Sequence, residues 1–243
     1  MAHTVMITGS TGKLGRELLK VFPNSFAPSH RELDITDKEA VFKFIKNIKP
    51  ELLIHCAALT GIRECENNKE SAWRVNVEGT ENLVKACEKF AKKCYFVYIS
   101  TACVFYGDRG EYVETDIPYP KNFYSLTKLL GEFVVKYSNL KRWLIIRTNF
   151  VAREKWPYPK AFVDRYGTYL FADDLARAIK TVLEKNYTGI LHVCGDRKLS
   201  MFELAKITTP EVQPMTLEEY NGPPLTVDMS LKSIRIKPFK LTY

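Results

Sequence analysis

Tyr124 and Lys128 stand four residues apart in Tyr124-Ser-Leu-Thr-Lys128, within a stretch of helical periodicity. A phenol and an ammonium then project from one helix face and can meet one substrate. An isolated tyrosine ionises near pH ~10, and a fixed cation beside it favours the phenolate, which makes the pair a candidate acid/base. The same spacing also arises from a surface lysine beside a half-buried tyrosine. Upstream, Ile99-Ser-Thr-Ala-Cys-Val-Phe105 ends an apolar run with hydroxyls. That end lies at the carboxyl edge, where open α/β sheets bind ligands. Thr101 is placed to hold and polarise a substrate carbonyl, with Ser100 as the close alternative and a plain strand-ending cap as the ordinary reading.

A second chemical signal precedes these. Gly9-Ser10-Thr11-Gly12-Lys13-Leu14-Gly15 follows the first apolar run at once and opens a helix-period segment. Glycines there let the chain turn sharply and approach a pyrophosphate, while the helix start offers unpaired N–H groups. The spacing is G-x-x-G-x-x-G rather than G-x-G-x-x-G. An NAD-specific site normally carries an acid after the second strand, to bind the ribose 2′-hydroxyl. Ala27-Pro-Ser-His-Arg31 has none. Ser29, His30 and Arg31 are instead candidates for the 2′-phosphate, Arg31 through charge-assisted hydrogen bonds. NADP(H) is therefore the expected cofactor, with NAD(H) the alternative. Asp34 reads either as a helix cap or as a partner of the adenine.

The elements that must carry these residues alternate along the chain. Val5–Ile7, Ser25–Ala27, Leu52–Ile54, Tyr95–Ile99 and Trp143–Ile146 read as strands. Between and after them lie helix-period segments at 13–22, 37–48, 72–92, 123–137 and 172–183. A late strand at 189–193 and a short helix at 201–207 follow. The alternation predicts an α/β fold of Rossmann type, a doubly wound parallel sheet in one domain spanning 1–243. Segments 148–170 and 196–243 mix Pro, Tyr, Gly and charge, and are expected to form a small substrate-covering C-terminal lobe.

Composition narrows the classes. The net charge of +8 comes from basic residues interleaved with acidic ones, as in Asp37-Lys-Glu-Ala-Val-Phe-Lys-Phe44, which describes solvated helix faces rather than a nucleic-acid surface. The excess would help draw an anionic small molecule toward a cleft. No apolar run approaches the ~20 residues of a membrane span. The start, Met1-Ala-His-Thr-Val-Met-Ile-Thr8, lacks the features of a secretory leader, so an unprocessed cytoplasmic protein is expected. The six cysteines form no C-x-x-C pair and are expected as reduced core thiols. His55 and His192 lie in strand-like runs without a second ligand at metal spacing, so no metal site is expected.

Taken together, these motifs resemble the extended short-chain dehydrogenase/reductase family, and within it the dTDP-4-dehydrorhamnose reductase branch. The resemblance covers about residues 4–147. Beyond the segments already quoted it rests on Leu33-Asp-Ile-Thr-Asp37, Ala57-Ala58, Arg74-Val-Asn-Val-Glu-Gly-Thr-Glu-Asn82 and Tyr112-Val-Glu-Thr-Asp116. It implies that Tyr124 is the general acid, that Lys128 binds the nicotinamide ribose and lowers the tyrosine pKa, and that Thr101 holds the reacting oxygen. It also implies that residues 9–15, Asp34, Ile35, Ala57, Ala58 and Asn76 contact the dinucleotide or support its site. The implied reaction is reduction at C4 of a deoxysugar carried on thymidine diphosphate. Homodimers are a habit of the family. Where the branch has S-T-D-Y-V-F, this chain has Ser100-Thr-Ala-Cys-Val-Phe105, and the 147–173 segment is short. Two other readings remain: an NAD-retaining epimerase or dehydratase of the same family, and a non-catalytic NADP-binding regulatory subunit.

Overall fold

The structure, a computed structural model, describes residues 4–242. Residues 1–3, on which the expectation of an unprocessed start partly rests, and residue 243 lie outside the described residues. Strand β1 (Val5–Thr8) leads into helix α1 (Lys13–Val21), and α2 (Lys38–Ile48) precedes β2 (Leu52–His55). Two short helices, α3 (Ile62–Asn67) and α4 (Lys69–Trp73), continue through a π turn at Arg74–Glu78 into α5 (Gly79–Phe90) and then β3 (Tyr95–Ile99). Helix α6 (Phe123–Lys136) and β4 (Arg142–Arg147) follow. Next come β5 (Phe150–Val151), β6 (Lys160–Phe162), β7 (Tyr166–Gly167), β8 (Leu170–Phe171) and α7 (Ala172–Glu184). The chain ends with β9 (Gly189–His192), β10 (Leu199–Ser200), α8 (Met201–Thr208), β11 (Gln213–Met215) and β12 (Asp228–Met229).

The central sheet runs in the order β1-β2-β3-β4-β9, with every pairing parallel. Parallel strands need both faces covered, and the alternation of side chains supplies two cores. Met6, Leu53, Phe96, Tyr98 and Ile145 pack on one side with Val41 and Ile45 of α2 and Leu83 of α5. Ile7, Ile54, Val97, Ile99 and Ile146 pack on the other with Leu14 and Leu18 of α1 and Leu175 and Ile179 of α7. This is the doubly wound α/β arrangement of the Rossmann type. Asp37 caps α2, its carboxylate accepting from the Ala40 N–H at 3.0 Å. Asp34 is not that cap: it accepts from the Thr36 N–H and hydroxyl instead.

The expected strand at Ser25–Ala27 shrinks to one bridge, Met6↔Phe26. Phe26 makes both ladder bonds available to it, to Val5 O and from Ile7 N. Two residues on, Pro28 has no N–H with which to extend the ladder. The single helix expected over 72–92 is two helices broken by the π turn, starting at Lys69 behind an Asn68 cap. From β1 the chain passes to Phe26 on one side and later returns to β2 on the other. The carboxyl ends of β1 and β2 therefore flank the switch-point crevice, where such sheets take ligands.

Segments 148–170 and 196–242 hold short strands rather than irregular chain alone. β6 pairs with β11, and β7 pairs with both β10 and β12. Helix α8 begins with a capping box, Ser200 with Glu203, and packs beside β6 through Ala205 against Ala161. Among the described residues no helix is long and apolar enough to cross a membrane.

Candidate active site

The glycine turn is shaped by close backbone approach. Gly9 has φ +69°, and a Cβ on it would sit 2.6 Å from the Ala57 nitrogen. A Cβ on Gly15 would lie 2.1 Å from the Gly9 carbonyl oxygen. Only glycine lets the turn, the start of α1 and the chain after β2 come together. The resulting cleft, about 270 Å³, is lined by Gly9, Thr11, Gly12, His30, Asp34, Ile35, Ala57 and Ala58, with Val75 nearby.

Other residues of the turn act from behind. The Ser10 hydroxyl donates to Ala27 O at 3.1 Å, Leu14 is core, and Lys13 faces Glu154 at 3.4 Å. Ser29 and Arg31 do not line the cleft, and both the backbone N–H and the hydroxyl of Ser29 donate to Glu32 at 2.8 Å. Burial opposes ionisation of Asp34, but hydrogen bonds from Thr36 and the nearby His30 and Arg74 outweigh it, holding the carboxyl below its ordinary value. Arg74 opens the π turn, which no sequence period announces, and its charge acts on Asp34 from there.

Asn76 sits in that turn and does not itself line the cleft. Its side chain accepts from the Leu59 N–H at 2.8 Å and donates to Leu59 O at 3.0 Å and Thr127 Oγ1 at 2.9 Å. It thus ties the loop after β2 to α6. Behind it, Thr80 donates to Asn76 O, so the neutral ring of His55 donates through Nε2 to Thr80 and accepts through Nδ1 from Thr8. Burial holds the His55 pKa down to about 3.

Tyr124 and Lys128 occupy the first two turns of α6, behind an Asn122 cap. The Tyr124 phenol lies against the Thr101 hydroxyl, which also accepts from the Cys103 N–H at 3.1 Å. Burial pushes the phenol well above the ordinary tyrosine range, and the hydrogen bond with Thr101 only tempers the rise. The cation does not lower it, because the Lys128 ammonium is drawn to Ile99 O at 2.8 Å and over the Tyr98 ring at 4.1 Å. Lys128 is 4% exposed, and burial brings its pKa down to about 8. In this state Tyr124 is a protonated acid and Lys128 a marginal cation.

Below them lies an ion pair that the sequence reading did not pick out. Glu132 accepts from Arg147 Nε at 3.0 Å and Nη2 at 2.7 Å, and from the Ser100 hydroxyl at 2.5 Å. Its signal was present, since Tyr124, Lys128 and Glu132 recur every four residues on one face of α6.

A second cleft, about 1060 Å³, opens between α3 and the C-terminal segments. Trp156, Tyr158, Phe162 and Tyr220 supply its aromatic lining. Thr101, Tyr124 and Lys128 line neither cleft. Lys128 feels the field of Cys56, which lines the first, and Tyr124 that of Cys65 in α3, the helix that borders the second.

Comparison with known proteins identifies the family. Residues 3–163 match the family model for the RmlD substrate binding domain. A dTDP-4-dehydrorhamnose reductase of Aggregatibacter actinomycetemcomitans is 30% identical over 230 residues, covering 83% of this chain and 76% of that one. Methionine adenosyltransferase 2 subunit beta of Rattus norvegicus is 37% identical over 150 residues, 57% of this chain and 44% of that subunit. The crystal structure of dTDP-4-dehydrorhamnose reductase from Bacillus anthracis in complex with NADP superposes with a TM-score of 0.87 at 27% identity, covering 96% of this chain and 91% of that one. The chain belongs to the RmlD substrate binding domain family, the dTDP-4-dehydrorhamnose reductase-like branch of the extended short-chain dehydrogenases/reductases.

Proposed function

We propose that this protein is an NADPH-dependent reductase of a nucleotide-linked 4-keto-deoxysugar. The observation that carries the reading is a protonated phenol, Tyr124, held against Thr101 in a chain with a glycine-walled cleft and a larger aromatic one. The named activities of the relatives and the NADP in the Bacillus anthracis structure support it.

The first cleft fits a dinucleotide because Gly9 and Gly15 leave a cradle that any Cβ would fill, beside the start of α1. Gly9, Ser10, Thr11, Gly12, Lys13, Leu14 and Gly15 would hold the pyrophosphate, the middle residues through backbone N–H groups. Asp34, Ile35, Ala57 and Ala58 would flank the adenosine, with His30, the one of the three candidates that lines the cleft, toward the 2′-phosphate. A bound dinucleotide supplies hydride to the carbonyl carbon. Tyr124 gives its phenolic proton to the carbonyl oxygen as that oxygen gains electrons. Thr101 keeps the oxygen within reach of that proton and stabilises the developing charge. Lys128, with ammonium donors beyond the one given to Ile99 O, would hold the nicotinamide ribose. Segments 148–170 and 196–242 would act as the covering lobe, and the second cleft has the volume of a ligand site for a substrate of this size.

A regulatory reading has its own observation. Ala102 and Cys103 replace the acid and aromatic of the branch, and the Cys103 thiol is buried against Met229 at 3.2 Å. The likeness to a methionine adenosyltransferase subunit points the same way. Following NADPH oxidation by the purified protein with dTDP-4-dehydro-6-deoxy-L-mannose separates the two. Turnover supports the reductase. Tight NADPH binding with no oxidation supports the regulatory subunit.

A further inference from the structure

We infer that Arg165 takes an oxyanion of the substrate in the second cleft, an inference that rests on reading that cleft as the substrate site. Arg165 immediately precedes β7, lines the cleft and is 8% exposed. Its Nε donates to Thr226 O at 2.9 Å. Its terminal nitrogens meet only sulfur, Nη1 with Met201 at 3.2 Å and Nη2 with Met229 at 3.3 Å. A thioether is a weak acceptor, so the two nitrogens that form the bidentate fork remain open to stronger partners.

The neighbouring acids are committed elsewhere. Asp164 accepts from the Leu217 N–H, and Asp228 is bound by Lys198 and Ser230. Among the described residues no carboxylate pairs with Arg165. Burying a guanidinium without a counter-charge is strongly unfavourable, and an anion supplied from outside the chain relieves it.

The cleft as a whole has the matching sign. Arg63, Lys160 and Arg165 line it against one carboxylate, Glu64. Lys160 is paired with Glu219 at 3.0 Å, and Arg63 donates to Asn221 O. Arg165 is the buried member of the three, and its position is informative. Met229 Sδ touches both Arg165 and the Cys103 thiol, and Cys103 neighbours Tyr124. Tyr124 packs against the same apolar cluster as Cys103 and Met229, so the guanidinium sits on the side of the cleft that faces the proton donor. An oxyanion held there fixes how far the reacting carbonyl sits from Tyr124, which makes Arg165 a specificity-determining residue. Two sources carry the required oxygens: the diphosphate of a nucleotide-linked sugar, and a carboxylate on the sugar itself.

The test is calorimetric binding to the NADPH-saturated protein, using dTDP, thymidine and glucuronate as probes, on wild type, Arg165→Met and Arg165→Lys. Methionine keeps an unbranched apolar stem beside Met201 and Met229. The expected result is at least a tenfold loss of dTDP affinity in Arg165→Met with thymidine binding unchanged. Arg165→Lys keeps the charge but not the fork, and is expected to fall between. Should Arg165→Met not fold, the lysine variant carries the test alone. A loss confined to glucuronate also supports the inference and names the carboxylate as the source. Equal affinities across the variants, or no binding of either anion by wild type at millimolar concentration, overturns it. Wild type that binds dTDP through Arg165 yet never oxidises NADPH would end the reductase reading and leave the role of Arg165 standing.

Discussion

Replacing Glu132 with glutamine is the most severe single-atom test of how the site is braced. The side chains of Glu132 and Arg147 are 2% and 3% exposed, so water screens little of their interaction. The carboxylate receives three hydrogen bonds from Arg147, Nε to both oxygens and Nη2 to one, and one from Ser100, and Arg147 Nη1 already has no hydrogen-bond partner among the described residues. An amide offers one acceptor oxygen and turns two donors toward existing donors, leaving a buried cation uncompensated. Losing one member of such a pair costs about 3–5 kcal/mol. For a chain of this size each kcal/mol shifts Tm by ~2–4 °C, so the variant should melt roughly 6–20 °C lower. Urea unfolding of the purified protein, followed by tryptophan fluorescence, measures the free energy directly. The paired replacement Glu132→Leu with Arg147→Met removes both charges and should recover most of the loss. Because Ser100 adjoins Thr101, the single variant should also lower turnover more than NADPH affinity. A loss under about 1 kcal/mol, or a paired variant as unstable as the single one, refutes the reasoning.

Two further outcomes are specific. Gly15→Ala places a methyl group against the Gly9 carbonyl and should weaken NADPH binding at least tenfold while costing about 1–3 kcal/mol of stability, read by calorimetry and denaturation. Lys128, lowered from 10.5 to about 8, should show opposite trends above that pH. Between about 8 and 10.5 the unfolded chain binds the proton that the folded chain has lost, so the lysine's contribution to stability rises with pH. Over the same range NADPH affinity falls as the ammonium is lost, and Lys128→Met should remove both trends.

Much of this architecture was readable because its periods are long. The sheet core is a set of apolar runs, each returning after a helix-length interval, and β3 occupies the expected residues, Tyr95–Ile99. The glycine turn was readable because backbone contact leaves no choice of residue at Gly9 and Gly15. The failures have local causes. Ser25–Ala27 looks like a strand by composition, but Pro28 stops the ladder after one pair. The lobe strands are two or three residues long, too short for any alternation to register. The direction of the Lys128 ammonium was not readable, because sequence spacing gives the face of a helix, not the direction of a long side chain. Ile99 O captures the ammonium. Arg165 and Arg74 were missed because each gains meaning only from a chain segment distant in sequence.

The most direct test of the central claim is NADPH oxidation by Tyr124→Phe beside the wild type, with the 4-keto sugar nucleotide as substrate and NADPH affinity measured in parallel. Turnover should fall by ~100-fold or more, as for loss of a general acid, with NADPH affinity nearly unchanged. Wild-type turnover in the phenylalanine variant would contradict it.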